Sequence, residues 1–244
     1  MPEYYSRQLG LYRVAVCAVL TVRMCLDEIL GQRGNPLRHG EYPFPHLYAS
    51  NDPVFKKVKK PVIFLTKEEL DKLYNLQIPK TGIVIKLKTY DGKEYENTVL
   101  DAGGMERARD LFCFCAFTSL RYSDMANVHR YDIQDGVLTV TTQKTNAHLQ
   151  IKLNKHAQAI LDKYKDLYFP GDLALPVISN QKMNQYLKEI CELCGFNEPI
   201  HITGFRKGRR YDITVPKYSE VSTHCGRKTF ICFMLSIAAS RPRL

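Results

Sequence analysis

The amino-acid sequence predicts an α+β fold that is mainly helical and carries small antiparallel β-hairpins. Residues 105–120 are apolar on nearly every helical face, as a helix at the centre of a domain must be. Short alternating apolar stretches flank turn signals before and after that helix, which is the pattern of hairpins. A hydrophobic content of 45% in 244 residues supports a real core and excludes general disorder.

Each element has its own signal. Residues 11–30 read as one helix closed by Gly31, followed by a proline-broken stretch and the basic cluster Lys56, Lys57, Lys59 and Lys60. Residues 1–60 are therefore expected to form a partial helical segment and a basic linker, and residues 61–244 the main domain. Thr66 with Glu69 makes a capping box ahead of Leu70, Leu73 and Tyr74, so a helix starts there. Ile83, Ile85 and Leu87 alternate with other residues, Asp91-Gly92 turns the chain, and residues 95–100 return as a strand. The apolar helix 105–120 then ends at Arg121, a charge that is costly unless paired, and Asp124 stands three residues on. Residues 137–141 and 148–153 alternate like strands, which sets Lys144 at the tip of a hairpin. Asn154 caps a helix running towards Tyr168, and Ser179 or Asn180 opens another that ends at Gly195. Residues 200–218 read as a further hairpin whose tip holds Arg206, Lys207, Arg209 and Arg210. A last helix begins near Ser222 or Thr223 and presents His224 and Arg227, three apart, on one face.

The formal charge of +10 and the sequence pI near 9.1 favour a polyanionic partner. The cysteines are placed as reduced core residues: Cys113, Cys115, Cys225 and Cys232 lie in apolar helical stretches, which points to a reducing cytoplasm. Cys191 and Cys194 form a lone CxxC with no second pair, so no metal site is expected and two buried or half-buried thiols on one helix are. The apolar stretch 14–22 is bracketed by Arg13 and Arg23 and is too short to span a bilayer, so neither a membrane nor a secretory signal is expected.

Arg121 lies in Thr-Ser-Leu-Arg-Tyr-Ser-Asp, Lys144 in Thr-Thr-Gln-Lys-Thr-Asn, and His224 and Arg227 in Ser-Thr-His-Cys-Gly-Arg-Lys-Thr-Phe. Singly, each has an ordinary reading as an ion-pair partner, a turn lysine, a structural histidine or a surface charge. In this order and context they resemble the catalytic domain of the tyrosine recombinases, also called the phage integrase family. Arg-Asp-Leu-Phe-Cys-Phe-Cys-Ala-Phe-Thr-Ser-Leu-Arg-Tyr-Ser-Asp, with the His-x-x-Arg segment, is similar to the branch found on mobile elements of Bacteroides-like bacteria. The resemblance covers residues 61–237.

The resemblance implies a site-specific recombinase or integrase acting on double-stranded DNA in a bacterial cytoplasm, assembled with other recombinase subunits on that DNA. A tyrosine hydroxyl attacks a phosphate, a phosphotyrosine link forms and a 5′ hydroxyl leaves, so religation needs no ATP, no metal and no other cofactor. By the same resemblance Arg121 and Arg227 hold the non-bridging oxygens, His224 assists proton transfer at the nucleophile, and Lys144 protonates the leaving oxygen. Asp124 supports Arg121, and Arg206, Lys207, Arg209 and Arg210 are candidate phosphate contacts.

The chain departs from the family pattern at both ends. The residues after Arg227 contain neither tyrosine nor histidine, so no nucleophile is identified and the chain is expected to stop short of it. Tyr211 and Tyr218 precede the His-x-x-Arg segment. Residues 1–60 are too few for the family's whole core-binding domain. Impaired chemistry is one expectation; a non-catalytic protein occupying recombination sites and a nonfunctional remnant are the alternatives.

Overall fold

A single long helix organises the molecule. The structure is a computed structural model that describes residues 61–206 and 209–239, without the side chains of residues 205, 206, 209, 238 and 239. The predicted helix 11–30, the cluster Lys56–Lys60 and the side chains of Arg206, Lys207 and Arg209 thus lie outside the described residues. Helix α1, Lys67–Tyr74, starts with the expected capping box: Thr66 Oγ1 accepts the Glu69 N–H at 3.3 Å and Glu69 Oε2 accepts the Thr66 N–H at 2.7 Å. Strands β1, Val84–Lys88, and β2, Glu94–Thr98, pair antiparallel around a turn in which Gly92 takes φ 85°. The return strand stops short of the predicted residue 100, and Leu100 is exposed.

The organising helix, α2, runs Ala102–Thr118. It begins three residues before the predicted start because Asp101 accepts the Gly104 N–H at 2.8 Å and caps it there. Leu111, Phe112, Cys113, Phe114 and Cys115 are all inaccessible to solvent. Each large side chain buried this way contributes roughly 1.5–3 kcal/mol, so this helix supplies a large part of the core. Asp110 is its one buried charge, and three donors meet it: Lys163 Nζ at 2.6 Å, the Tyr164 hydroxyl at 2.7 Å and Arg109 Nε at 2.9 Å. A buried carboxylate is tolerable only when its lone pairs are filled in this manner.

A short helix, α3, Tyr122–Met125, leads into a three-stranded sheet of β3, Ile133–Gln134, β4, Val137–Thr141, and β5, His148–Lys152. The β4–β5 hairpin is the expected one. Strand β3 extends it through an Asp-Gly turn at Asp135 and Gly136, both with positive φ. Helix α4, Lys155–Tyr164, is capped by Asn154 as expected but ends before Tyr168, where Arg130 donates to the Tyr164, Lys165 and Leu167 carbonyls. Helix α5, Asn180–Leu193, is capped by Ser179, and Gly195 follows with φ 71°. Strands β6, Pro199–Arg206, and β7, Arg209–Pro216, form the long hairpin. A single turn, α6, Lys217–Glu220, then gives way to α7, Thr223–Ala239. Helix α2 packs against α7, α5, α4 and α1. The architecture is thus the predicted one, mainly helical with small antiparallel hairpins. Among the described residues no helix is long and apolar enough to cross a membrane.

Candidate functional site

The end of α2 brings the separated sequence motifs together. Ser119 caps the helix with its N–H bonded to the Cys115 carbonyl at 2.9 Å and its backbone in the left-handed region, φ 62°. This reverses the chain, so that buried Leu120 is followed by Arg121 in an extended conformation at the start of α3. The Arg121 side chain is 13% exposed and its Nη1 lies 3.9 Å from Asp124 Oδ2. The pairing expected between these residues is therefore present, though long.

Asp124 does more than accompany Arg121. Its side chain is fully buried, and Oδ1 accepts the Gln143 main-chain N–H at 3.0 Å. Gln143 is in the turn between β4 and β5, and Lys144 is the next residue. One carboxylate therefore connects the Arg121 segment to the lysine hairpin. The turn is firm beneath an exposed tip: Thr142 is buried, its hydroxyl shares a hydrogen bond with Thr145 Oγ1 at 2.7 Å, and it accepts the Ala147 N–H at 3.1 Å. Lys144 itself is exposed, as a cation on a flexible arm needs to be to reach a ligand.

The other half of the site comes from α7. Its first turn is docked on α5, with the Thr223 N–H donating to Asn184 Oδ1 at 2.8 Å and the Thr223 hydroxyl to Asn180 Oδ1 at 3.0 Å. Gly226 then meets α2 almost backbone to backbone: a Cβ there would stand 3.2 Å from the Phe112 carbonyl oxygen and 3.3 Å from Cys115 Cβ. That close approach lets Arg227, only 4% exposed, donate from Nη1 to the Ser119 carbonyl at 2.9 Å. His224 sits one helical turn earlier on the same side and is exposed. Burial pushes the Cys115 thiol up to about 12, with the Asp124 carboxylate raising it further and the Arg227 guanidinium opposing. Both charges act on this one buried thiol, from the α3 side and from α7.

The structure thus links the Arg121 segment and the Lys144 turn through Asp124, and joins Arg227 to the end of α2 through Ser119, with exposed His224 three residues before it on α7. Among the described residues, no contact joins Arg210 of the basic hairpin tip to that group. Arg210, the tip residue whose side chain is described, is exposed and turned back on Asp212, Nε to Oδ2 at 3.0 Å. The tyrosines near the motif have other engagements. Burial and the neighbouring Glu192 carboxylate push the Tyr218 hydroxyl up, and Tyr95 donates to that same carboxylate. Tyr211 is 41% exposed and lies over Gly204 on the ribbon.

Sequence reasoning missed Ser119 and Gly226 as parts of the site. Neither carries a charge, and only the neighbouring arginines mark them. The thiols behave as expected: Cys191 and Cys194 are buried at the end of α5, and burial pushes Cys194 up to about 11, so both are neutral core groups. Among the described residues no group of His, Cys, Asp or Glu is arranged to hold a metal.

No protein-family model and no curated protein matches the chain. Solved structures similar to it include the XerH site-specific recombinase bound to palindromic difH substrate, at 15% identity, covering 75% of this chain and 44% of that one, with a TM-score of 0.46. The lambda integrase catalytic core is similar at 16% identity, covering 73% of this chain and 85% of that one, with a TM-score of 0.45. The XerA recombinase is similar at 11% identity, covering 71% and 50%, with a TM-score of 0.43. The chain thus spans about half or less of the XerH and XerA chains it matches.

Proposed function

We propose that the chain carries the phosphate-activating part of a tyrosine recombinase catalytic domain, residues 61–244, and acts on double-stranded DNA. Arg121 and Arg227 hold the non-bridging oxygens of the attacked phosphate. Lys144 delivers a proton to the leaving 5′ oxygen, and His224 assists proton transfer at the attacking hydroxyl. The tip residues Arg206, Lys207, Arg209 and Arg210 contact the DNA backbone. One observation carries this reading. Motifs up to 108 residues apart are tied to the end of α2 and the α3 turn that follows it by two hydrogen bonds between main chain and side chain, Gln143 N–H to Asp124 Oδ1 and Arg227 Nη1 to the Ser119 carbonyl. The net charge of +10 fits the polyanion.

A second reading is a non-catalytic protein that occupies recombination sites; Tyr218, near the His-x-x-Arg segment, has its hydroxyl pushed up by burial and by Glu192, the opposite of an activated nucleophile. A nicked duplex separates the two. Residues 228–244 contain no tyrosine, so the assay adds a peptide or partner subunit that supplies one. A covalent adduct between the DNA and the added tyrosine-bearing peptide or subunit, formed only with the chain present and lost on Arg121→Ala, Lys144→Ala or Arg227→Ala, is the result expected of the recombinase. Salt-sensitive binding with no adduct supports the second reading, and no binding at all removes both.

A further inference from the structure

We infer that Ser119 is a positioning residue for Arg227, acting through its main-chain carbonyl and not through its hydroxyl. The inference rests on the reading of Arg227 as a phosphate-binding group, and deepens it. Arg227 Nη1 donates to the Ser119 carbonyl at 2.9 Å, in a bond between residues both at least nine-tenths buried. The Ser119 hydroxyl is also buried and has no hydrogen-bond partner among the described residues. A buried hydroxyl left in that state contributes nothing favourable, so the serine's side chain does not explain its presence. Its backbone does. A residue following a helix in the ordinary right-handed conformation points its carbonyl along the helix axis. At φ 62° the carbonyl is rotated out of that line, and here it lies against α7. The Gly226 approach then brings α7 close enough for the guanidinium to use it. One fork of Arg227 is held by a fixed dipole, and this fixes the plane of the rest before any phosphate arrives. Such pre-organisation is what an oxyanion-stabilising arginine needs.

Two kinds of substitution separate carbonyl from hydroxyl. Ser119→Gly keeps the left-handed conformation and loses only the idle hydroxyl, whereas Ser119→Val puts a β-branched residue where the left-handed region is strongly disfavoured. Arginine-selective side-chain NMR of the whole chain reads the outcome without DNA. The Arg227 guanidinium should show slowed rotation and a protected Nη signal in the parent and in Ser119→Gly. Ser119→Val should lose both while the amide spectrum of α2 and α7 persists. An unchanged Arg227 signal in folded Ser119→Val, or its loss in Ser119→Gly, would overturn the inference. Should Ser119→Val not fold, replacing Leu120 by its α-hydroxy acid turns the Ser119 amide carbonyl into an ester, a poorer acceptor. Arg227 should then become more mobile at unchanged φ, and an Arg227 signal that does not respond contradicts the assignment. Duplex binding is measured separately, so a failure of the recombinase reading is not confused with a failure of this one.

Discussion

The seam between α2 and α7 and the β6–β7 ribbon use the same materials to opposite ends. Each has a glycine under close neighbours and a carboxylate beside an arginine. At the seam, Gly226 faces the backbone of α2, and beside it on α3 Asp124 is sealed from solvent. On the ribbon, Gly204 faces only the ring of half-exposed Tyr211, and Asp212 pairs with Arg210 in water. The ribbon's polar face satisfies itself across the strands, with His201 Nδ1 and Thr214 Oγ1 at 2.8 Å and the Thr203 hydroxyl donating to Asp212. Its other face presents Ile202, Ile213 and Tyr211, with Ile213 45% exposed. The lesson is that the seam fixes atoms while the ribbon offers a surface. Groups that must meet one phosphate with set geometry belong on the first. Groups that add charge along a backbone can sit on the second.

Paired substitutions test that contrast. The largest difference is expected at the glycines. Gly226→Leu has nowhere to go against the α2 backbone and should cost about 3 kcal/mol or more, the upper end of what overpacking usually does, and abolish cooperative unfolding if the helices part. Gly204→Ala displaces a ring that can swing into solvent, and should cost less than about 1 kcal/mol. Equal destabilisation in urea denaturation would break the distinction. The carboxylates come next. Asp124→Ala removes a fully buried carboxylate and with it the acceptor of the Gln143 N–H, at roughly 1–3 kcal/mol. Asp212→Ala should leave the unfolding midpoint unmoved, since exposed ion pairs contribute little.

DNA affinity should show the smallest and inverted effect. If the chain binds duplex DNA as proposed, Arg121→Ala and Arg227→Ala are expected to weaken binding only modestly, since most affinity should then come from scattered phosphate contacts, and lysine should not restore chemistry at either position because the planar fork is absent. Removing the charges of Arg206, Lys207, Arg209 and Arg210 should reduce the salt dependence, by a slope of about 0.9 for each phosphate no longer neutralised. A salt slope that is unchanged would remove the ribbon tip from the DNA interface.

The sequence made the fold class and the helix and hairpin order legible because those depend on local periodicity. Helix 105–120 was visible from its apolar run, and α1 from Thr66 and Glu69. Boundaries drifted where a cap decided them: Asp101 starts α2 earlier than the apolar run does, and Arg130 closes α4 before Tyr168. The charged members of the candidate site were visible as motifs, since few residue types can handle a phosphate. What joins them was not. The bonds from Arg227 to Ser119 and from Gln143 to Asp124 involve main-chain atoms, which every residue possesses and no sequence pattern marks. The left-handed turn at Ser119 was hidden for a related reason. Glycine usually announces that conformation, and here a serine adopts it.

The most direct test of a single phosphate-handling site is to titrate the chain with a short DNA duplex while following the side-chain resonances of Arg121, Lys144, His224 and Arg227 by NMR. One site requires the four to shift together, with one midpoint that weakens as salt is added. Duplex binding that moves the ribbon residues alone, or moves the four signals with unrelated midpoints, would contradict it.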